Sequence, residues 1–381
     1  MRAGDGPCDL PVLSKDLLRA HFDDLKSRDV ASRRYYENSS GGSTGKPVTI
    51  LQDDTYRDWC GAAEDLFFTT LMGVTEYQTV PKMYIWGSER DLFSQTTMVN
   101  RVMNWLADRV FINAFCMSKD ELHRTVAIIN RRRPVIIKGY AGSLYELALF
   151  IQGRGLKIHS PAVIYSAAEA VRPFMREVIE RTFGSKVFDF YGSREVGAMA
   201  GECRLGKMHV FAFNNLVEVV DERNQPVAPG REGRILVTTL HNFAMPLIRY
   251  EVGDTAVLGK GCRCGLKLPT LERISGRVTD HFISRQGALV NGEYFTHLFY
   301  YKNWLSQFQV VQEEVDRIAI YYVPIGTVPQ NDIDDIEHKI RLVMGSDCAI
   351  RWRQVGEVPK TPQGKHLFTR SLVASRRGLA R

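Results

Sequence analysis

The spacing of apolar positions changes partway along the chain. In the first half, short apolar runs alternate with segments of helical period. Leu18, Phe22 and Leu25 fall on one helical face behind Ser14 as N-cap. Trp59, Ala63, Leu66, Phe67 and Leu71 outline a second amphipathic helix. Met83-Tyr84-Ile85-Trp86 reads as a buried strand stopped at Gly87-Ser88. Ser118 and Glu121 form a capping box for a helix carrying Leu122, Val126 and Ile129. Strands then follow at 134–138, 162–166 and 187–191, separated by helices over 143–151 and from about 168 to 182. This alternation predicts an α/β fold, with helices on a mostly parallel sheet.

From Leu216 the period becomes two. Residues 216–220 and 234–239, joined through a polar turn at 221–224, read as antiparallel strands. They predict a barrel-like β subdomain over about 203–275, attached to a large N-terminal domain (1–278). Around Ser275-Gly276-Arg277 a second, small α+β domain (279–381) begins.

A length of 381 residues suits two domains, and 44% hydrophobic with 24% charged residues suits a globular chain. The net charge of +7 favours anionic ligands. Its two basic runs, at Arg131-Arg132-Arg133 and Arg376-Arg377, lack the interleaved aromatics of a nucleic-acid groove, so no nucleic acid is expected. No apolar run approaches the roughly 18 residues of a membrane span. Met1 to Gly6 lead into no apolar stretch, which predicts no signal peptide. Seven cysteines without a regular framework fit the reducing cytoplasm.

Chemistry concentrates first at Asn38-Ser39-Ser40-Gly41-Gly42-Ser43-Thr44-Gly45-Lys46-Pro47. Glycines let backbone N–H groups face an anion, and hydroxyls with a lysine add phosphate donors. A flexible linker is the alternative reading. The Walker A spacing is absent, since Ser40 stands five before Gly45 and Pro47 follows Lys46. The loop therefore leads into a strand at 48–51.

This loop resembles the phosphate-binding loop of adenylate-forming enzymes, the acyl-CoA synthetase superfamily, with Gly41 where a serine is common. Four more segments resemble that superfamily in order. Tyr191-Gly192-Ser193-Arg194-Glu195 is similar to its aromatic-Gly-x-Thr-Glu motif, with Arg194 replacing threonine. Arg249-Tyr250-Glu251-Val252-Gly253-Asp254 resembles Tyr-Arg-Thr-Gly-Asp, and Gly276-Arg277-Val278-Thr279-Asp280 resembles the hinge motif Gly-Arg-x-Asp-Asp. Pro359-Lys360-Thr361-Pro362-Gln363-Gly364-Lys365 is similar to Pro-Lys-Thr-x-x-Gly-Lys. The stretches 10–16, 138–140 and 244–250 and Cys262-Arg263-Cys264-Gly265 narrow the likeness to phenylacetate–CoA ligases and the related CapK-like capsule-biosynthesis adenylyltransferases.

The resemblance implies ATP-dependent activation of a small carboxylic acid to an acyl-adenylate, then transfer to coenzyme A. An amine or carrier-protein thiol as acceptor stays open, as does a non-catalytic nucleotide-binding regulator and a homodimer. Ser40, Gly42, Ser43, Thr44, Gly45 and Lys46 would hold the ATP phosphates. Ala168, Glu169, Gly192 and Ser193 would bind ATP with the Tyr191 ring stacked on adenine, Asp254 would take the ribose hydroxyls, and Arg277 the ribose or phosphate. Glu195 would bind Mg²⁺, Asp280 would be the hinge of a mobile C-terminal domain, and Lys365 the catalytic lysine. Trp86, Tyr140, Ala141, Gly142, Tyr165 and Ala167, near strand ends, outline a pocket for a planar, aromatic acid; core packing is the alternative. Separately, Cys203, His209, Cys262 and Cys264 form a candidate structural Zn²⁺ tetrad, although Cys-x-Cys is tighter than the usual spacing and His209 could be a surface residue.

Overall fold

The computed structural model describes residues 10–40, 48–86, 98–114, 119–168, 170–275, 281–287, 289–299, 302, 304–358 and 368–373. After a short helix α1 (Lys15–Ala20), a hairpin pairs β1 (Tyr35–Ser39) with β2 (Thr49–Asp53). Helix α2 (Asp54–Leu66) is N-capped by the Asp53 carboxylate, which accepts from the Tyr56 N–H at 2.9 Å.

The parallel half of the main sheet uses β3 (Lys82–Trp86), β4 (Arg109–Asn113), β5 (Ile136–Gly139), β6 (Val163–Ala167) and β7 (Val187–Ser193). Its crossovers carry α3 (Met98–Leu106), α4 (Lys119–Arg132), α5 (Ala141–Gly153) and α6 (Pro173–Phe183). The antiparallel half comprises β8 (Gly197–Glu202), β9 (Met208–Val210), β10 (Asn215–Val220), β11 (Glu232–Thr239), β12 (Tyr250–Leu258) and β13 (Thr270–Ile274). The expected antiparallel strands form, and they are hydrogen-bonded in series with the parallel ones. The 11 strands run in the order β10-β11-β12-β13-β9-β8-β7-β6-β5-β3-β4. Strand β7 therefore joins the two halves, and it carries the Tyr191 motif.

Beyond residue 280, β14 (His281–Ile283) pairs with β15 (Leu289–Asn291), followed by α7 (Gly292–His297). Strands β16 (Leu305–Glu314), β17 (Arg317–Pro324), β18 (Ala349–Gln354) and β19 (Thr369–Ser371) form a second sheet with α8 (Gln330–Met344) before β18. Phe282, Val290 and Phe295 join the apolar cluster that holds Leu144 and Leu147 of α5. The expected domain boundary and the hinge residue Asp280 lie outside the described residues, as does Ser118. Among the described residues, no helix is long and apolar enough to cross a membrane.

Three local expectations need correction. The helix expected from about residue 168 begins at Pro173, because Ala168 adopts a left-handed backbone (φ 68°) and proline suits a first helical position. Helix α1 stops at Ala20, yet Phe22 and Leu25 still pack on the same core through turns. The helix begun at Asp54 widens to a π-turn over Phe67–Leu71, which keeps Phe67 and Leu71 buried while Trp59 stays exposed.

Candidate nucleotide site

The hairpin β1–β2 presents the Gly-rich loop, whose residues 41–47 lie outside the described residues. Its base is closed twice. The Ser40 N–H donates to the Val48 carbonyl at 2.9 Å, and the Val48 N–H donates to Ser40 Oγ at 3.0 Å. Ser40 is thus a buried clasp that brings both ends of the loop together.

Gln52 ties this hairpin to the turn after β7. Its Nε2 donates to the carbonyls of Arg194 (2.7 Å) and Glu195 (3.2 Å), while its Oε1 accepts from Asn38 Nδ2 at 2.9 Å. A buried amide satisfied on both sides fixes one geometry. Gln52 is absent from the sequence-level site; a polar residue inside the buried run Ile50-Leu51-Gln52-Asp53 was its only signal.

Glu195 is 3% exposed, at the tip of the β7–β8 turn. The Tyr250 hydroxyl donates to its Oε1 at 3.3 Å, and Lys15 Nζ stands 3.6 Å from the same oxygen. Lys15 arrives on an N-terminal strap. The Leu13 N–H donates to the Arg249 carbonyl (3.1 Å), and the Glu251 N–H donates to the Leu13 carbonyl (3.0 Å). The buried Arg249 guanidinium donates to the Leu10 carbonyl at 2.7 Å and to the Asn224 carbonyl at 2.9 Å, with Glu218 Oε2 3.3 Å from its Nε. Arg249 itself has φ 47°, a costly backbone for a non-glycine residue that these bonds hold in place. The sequence placed Lys15 in a motif without a role; only the fold brings it to Glu195.

Tyr191 on β7 donates its hydroxyl to Asp254 Oδ2 on β12 at 2.8 Å. The glycines around them are required. A Cβ on Gly192 would lie 2.7 Å from the Gly197 carbonyl oxygen. Gly197 has φ 68° and sits against Cys60 and Tyr56 of α2, so a side chain there would push the helix away from the turn.

The structure therefore gathers Ser40, Tyr191, Gly192, Ser193, Glu195 and Asp254 through direct or relayed contacts. Ala168 is exposed at the carboxyl end of β6, where a left-handed residue turns the backbone outward. Gly42, Ser43, Thr44, Gly45, Lys46, Glu169, Arg277 and Lys365 lie outside the described residues.

The residues expected to line an acid pocket divide. Trp86 stacks on Tyr140 (centroids 4.5 Å, 17° between planes). Tyr165 packs edge-on against Phe67 and Phe68, and burial raises its phenol well above the ordinary range. Ala141 and Gly142 begin α5 and are buried, as is Ala167. Lys138 on β5, unassigned from sequence, holds its ammonium 4.4 Å from the Trp86 ring centroid and 5.6 Å from that of Tyr165.

A separate cluster lies behind β8 and β9. Ligand atoms of Cys203, His209, Cys262 and Cys264 all lie within 4.8 Å of one another. Cys203 and Cys262 Sγ are 3.7 Å apart, and Cys264 Sγ is 3.2 Å from His209 Nε2. Two thiolates about 2.3 Å from one tetrahedral ion stand about 3.8 Å apart, whereas a disulfide needs about 2.05 Å. Burial holds His209 below its usual range, opposed by a hydrogen bond to the Leu268 backbone, a direction that favours the neutral ring a metal ligand needs. His209 is fully buried, not a surface residue.

Residues 282–371 match the family model described as the CapK C-terminal domain. The chain is 24% identical to Protein CapK of Staphylococcus aureus, over 94% of its own length and 79% of that protein. It is 31% identical to the phenylacetate-coenzyme A ligase of Thermus thermophilus, over 42% of this chain and 38% of that enzyme. Its fold is similar to that of 2-hydroxyisobutyryl-CoA ligase, solved with 2-HIB-AMP and CoA in the thioesterification state. The TM-score is 0.62 at 17% identity, covering 98% of this chain and 82% of the other. The chain is thus similar in sequence to Protein CapK and to the phenylacetate-coenzyme A ligases, and similar in fold to an acyl-CoA ligase.

Proposed function

We propose that this protein is an AMP-forming acid–thiol ligase acting on a small planar carboxylic acid. The observation that carries this reading is the junction at β7. Tyr191 with Glu195, Asp254, and the Ser40 clasp come from three distant segments and meet through Gln52, Tyr250 and one direct hydrogen bond. An aromatic ring beside a carboxylate suits a nucleoside, and a Gly-rich loop beside a buried acid suits a metal-bound polyphosphate.

In the first half-reaction a carboxylate oxygen of the acid attacks the α-phosphorus of ATP. The bond to the bridging oxygen breaks and pyrophosphate leaves. In the second, the coenzyme A thiolate attacks the acyl carbon and AMP leaves. The protein positions the partners and neutralises charge. Ser43, Thr44 and Lys46 hold the β- and γ-phosphates, Tyr191 faces adenine, and Asp254 accepts from the ribose hydroxyls. Glu195, a hard oxygen donor, would hold magnesium, which would supply charge neutralisation at the phosphates. In this reading Lys365 would bridge the carboxylate and the α-phosphate, and Asp280 would be the hinge on which the small domain turns between half-reactions. The Cys203, His209, Cys262 and Cys264 tetrad would hold zinc, which would pin the β12–β13 loop to the β8–β9 turn without touching substrate.

The test is ATP–pyrophosphate exchange with a panel of small acids, first without coenzyme A. Acid-dependent exchange, followed by thioester formation only when coenzyme A is added, is expected. Absence of exchange with every acid would overturn the reading. Consumption of an amine in place of coenzyme A would reassign the second step to amide synthesis.

A further inference from the structure

Strand β5 is apolar up to one position. Ile136 and Ile137 are buried, then Lys138 follows on a strand with β3 on one side and β6 on the other. A lysine in the middle of a sheet is costly to desolvate, so it calls for an explanation. Lys138 is in register with Tyr84 on β3 and Tyr165 on β6, and Trp86 lies one pleat further along the same face. The Trp86 and Tyr165 rings thus flank one ammonium, Tyr84 stands beside it in register, and the charge of Glu64 on α2 acts on it. Glu64 is solvent-accessible yet crowded by surrounding chain, which raises its carboxyl above the ordinary range against the pull of Lys138. Glu64 and Lys138 thus lie close enough for each charge to act on the other.

The register also fixes how far this ammonium is from the nucleotide motif. Lys138 pairs with Tyr165, and Tyr165 with Phe188, three residues before Tyr191 on β7. Two strand spacings of about 4.8 Å and three residues of about 3.3 Å put Lys138 roughly 14 Å from Tyr191 along the sheet. That is too far to serve the reacting carboxylate and suits the opposite end of a small acid.

We infer that Lys138 selects acids carrying a second anionic or hydrogen-bond-accepting group at the end remote from the reacting carboxylate, with Trp86 and Tyr84 beside the planar body. This rests on the acid-activating reading above. A charge-assisted hydrogen bond supplies discrimination that apolar walls cannot.

The experiment compares acid-dependent pyrophosphate exchange for matched pairs: 4-hydroxybenzoate and terephthalate against 4-methylbenzoate, and the corresponding phenylacetates. Wild-type protein is expected to favour the polar member by roughly 10- to 100-fold in kcat/KM. Lys138→Met should erase or reverse that preference while keeping exchange with the methyl compounds, and Lys138→Arg should restore part of it. Equal use of both members by wild-type protein overturns the inference alone, and does so even if Lys138→Met fails to fold. The same holds for a preference that survives Lys138→Met, or for a loss that strikes both members alike. If no acid is activated at all, the underlying reading fails and this one falls with it.

Discussion

The hydroxyl of Tyr191 donates to the carboxylate of Asp254 at 2.8 Å, joining residues 63 apart in the chain. The bond orients the ring that would lie against adenine and holds the acid that would receive the ribose. Removing the hydroxyl alone, in Tyr191→Phe, should weaken ATP binding by a few-fold, since one neutral-to-charged hydrogen bond contributes about 1.5–3 kcal/mol and water compensates part of it. Tyr191→Ala should weaken it by a further order of magnitude through loss of the ring. Equilibrium binding of ATP to both variants gives the two increments; equal losses would remove the ring from the adenine role.

Lys15 is the cation nearest the buried Glu195 carboxylate among the described ion pairs. Lys15→Met leaves that carboxylate with the Tyr250 hydroxyl as a hydrogen-bond donor. The expected result is a lower melting temperature and ATP binding weakened about 10-fold, roughly 1.4 kcal/mol at a partly exposed pair. Lys15→Arg should recover most of both. Unchanged melting and unchanged binding would relegate the pair to an incidental contact.

Lys365 is expected to act in only one half-reaction. Lys365→Ala should fold and bind ATP, lose acid-dependent pyrophosphate release by about 10²–10³, and convert supplied acyl-adenylate to product near the wild-type rate. Lys360→Ala is the control. Equal impairment of both half-reactions would contradict the assignment.

Metal analysis of protein purified without added zinc should return close to one zinc per chain. Cys264→Ser should lower that content and the melting temperature while leaving adenylation at wild-type levels in folded protein, because the tetrad joins loop to sheet away from the Glu195 turn. A metal-free protein with unchanged stability would dismiss the zinc site.

Asp189 on β7 gives a pH dependence. Burial, with the Glu202 carboxylate alongside, pushes its carboxyl up to about 7 from an ordinary 3.8. Between those values the folded chain holds a proton that the unfolded chain has released. The stabilising contribution is therefore full below about 3.8 and is lost as pH rises through 7. Melting temperature should fall from pH 5 to pH 8 by more in the wild type than in Asp189→Asn. Parallel slopes would show that Asp189 does not titrate there.

What the sequence revealed was local. Tyr191, Glu195 and Asp254 stood out because each sits in a short segment whose composition matches the chemistry proposed for it. The parallel and antiparallel halves were legible from period alone. Gln52, Lys15 and Lys138 were not, because their meaning lies in partners 142, 180 and, for Lys138, neighbouring strands away. The helix start at Pro173 was missed because a left-handed Ala168 has no signature in residue type.

The Leu10–Arg249 hydrogen bond has a temporal consequence. It closes a span of 239 residues, and the strap that it anchors is made well before its docking partner during synthesis. Long-range closures of this kind are slow compared with local contacts. The sheet can thus assemble before the strap seats, and Lys15 reaches Glu195 only afterwards. Refolding should regain secondary structure ahead of nucleotide binding, with the last phase governed by how soon residue 10 finds Arg249.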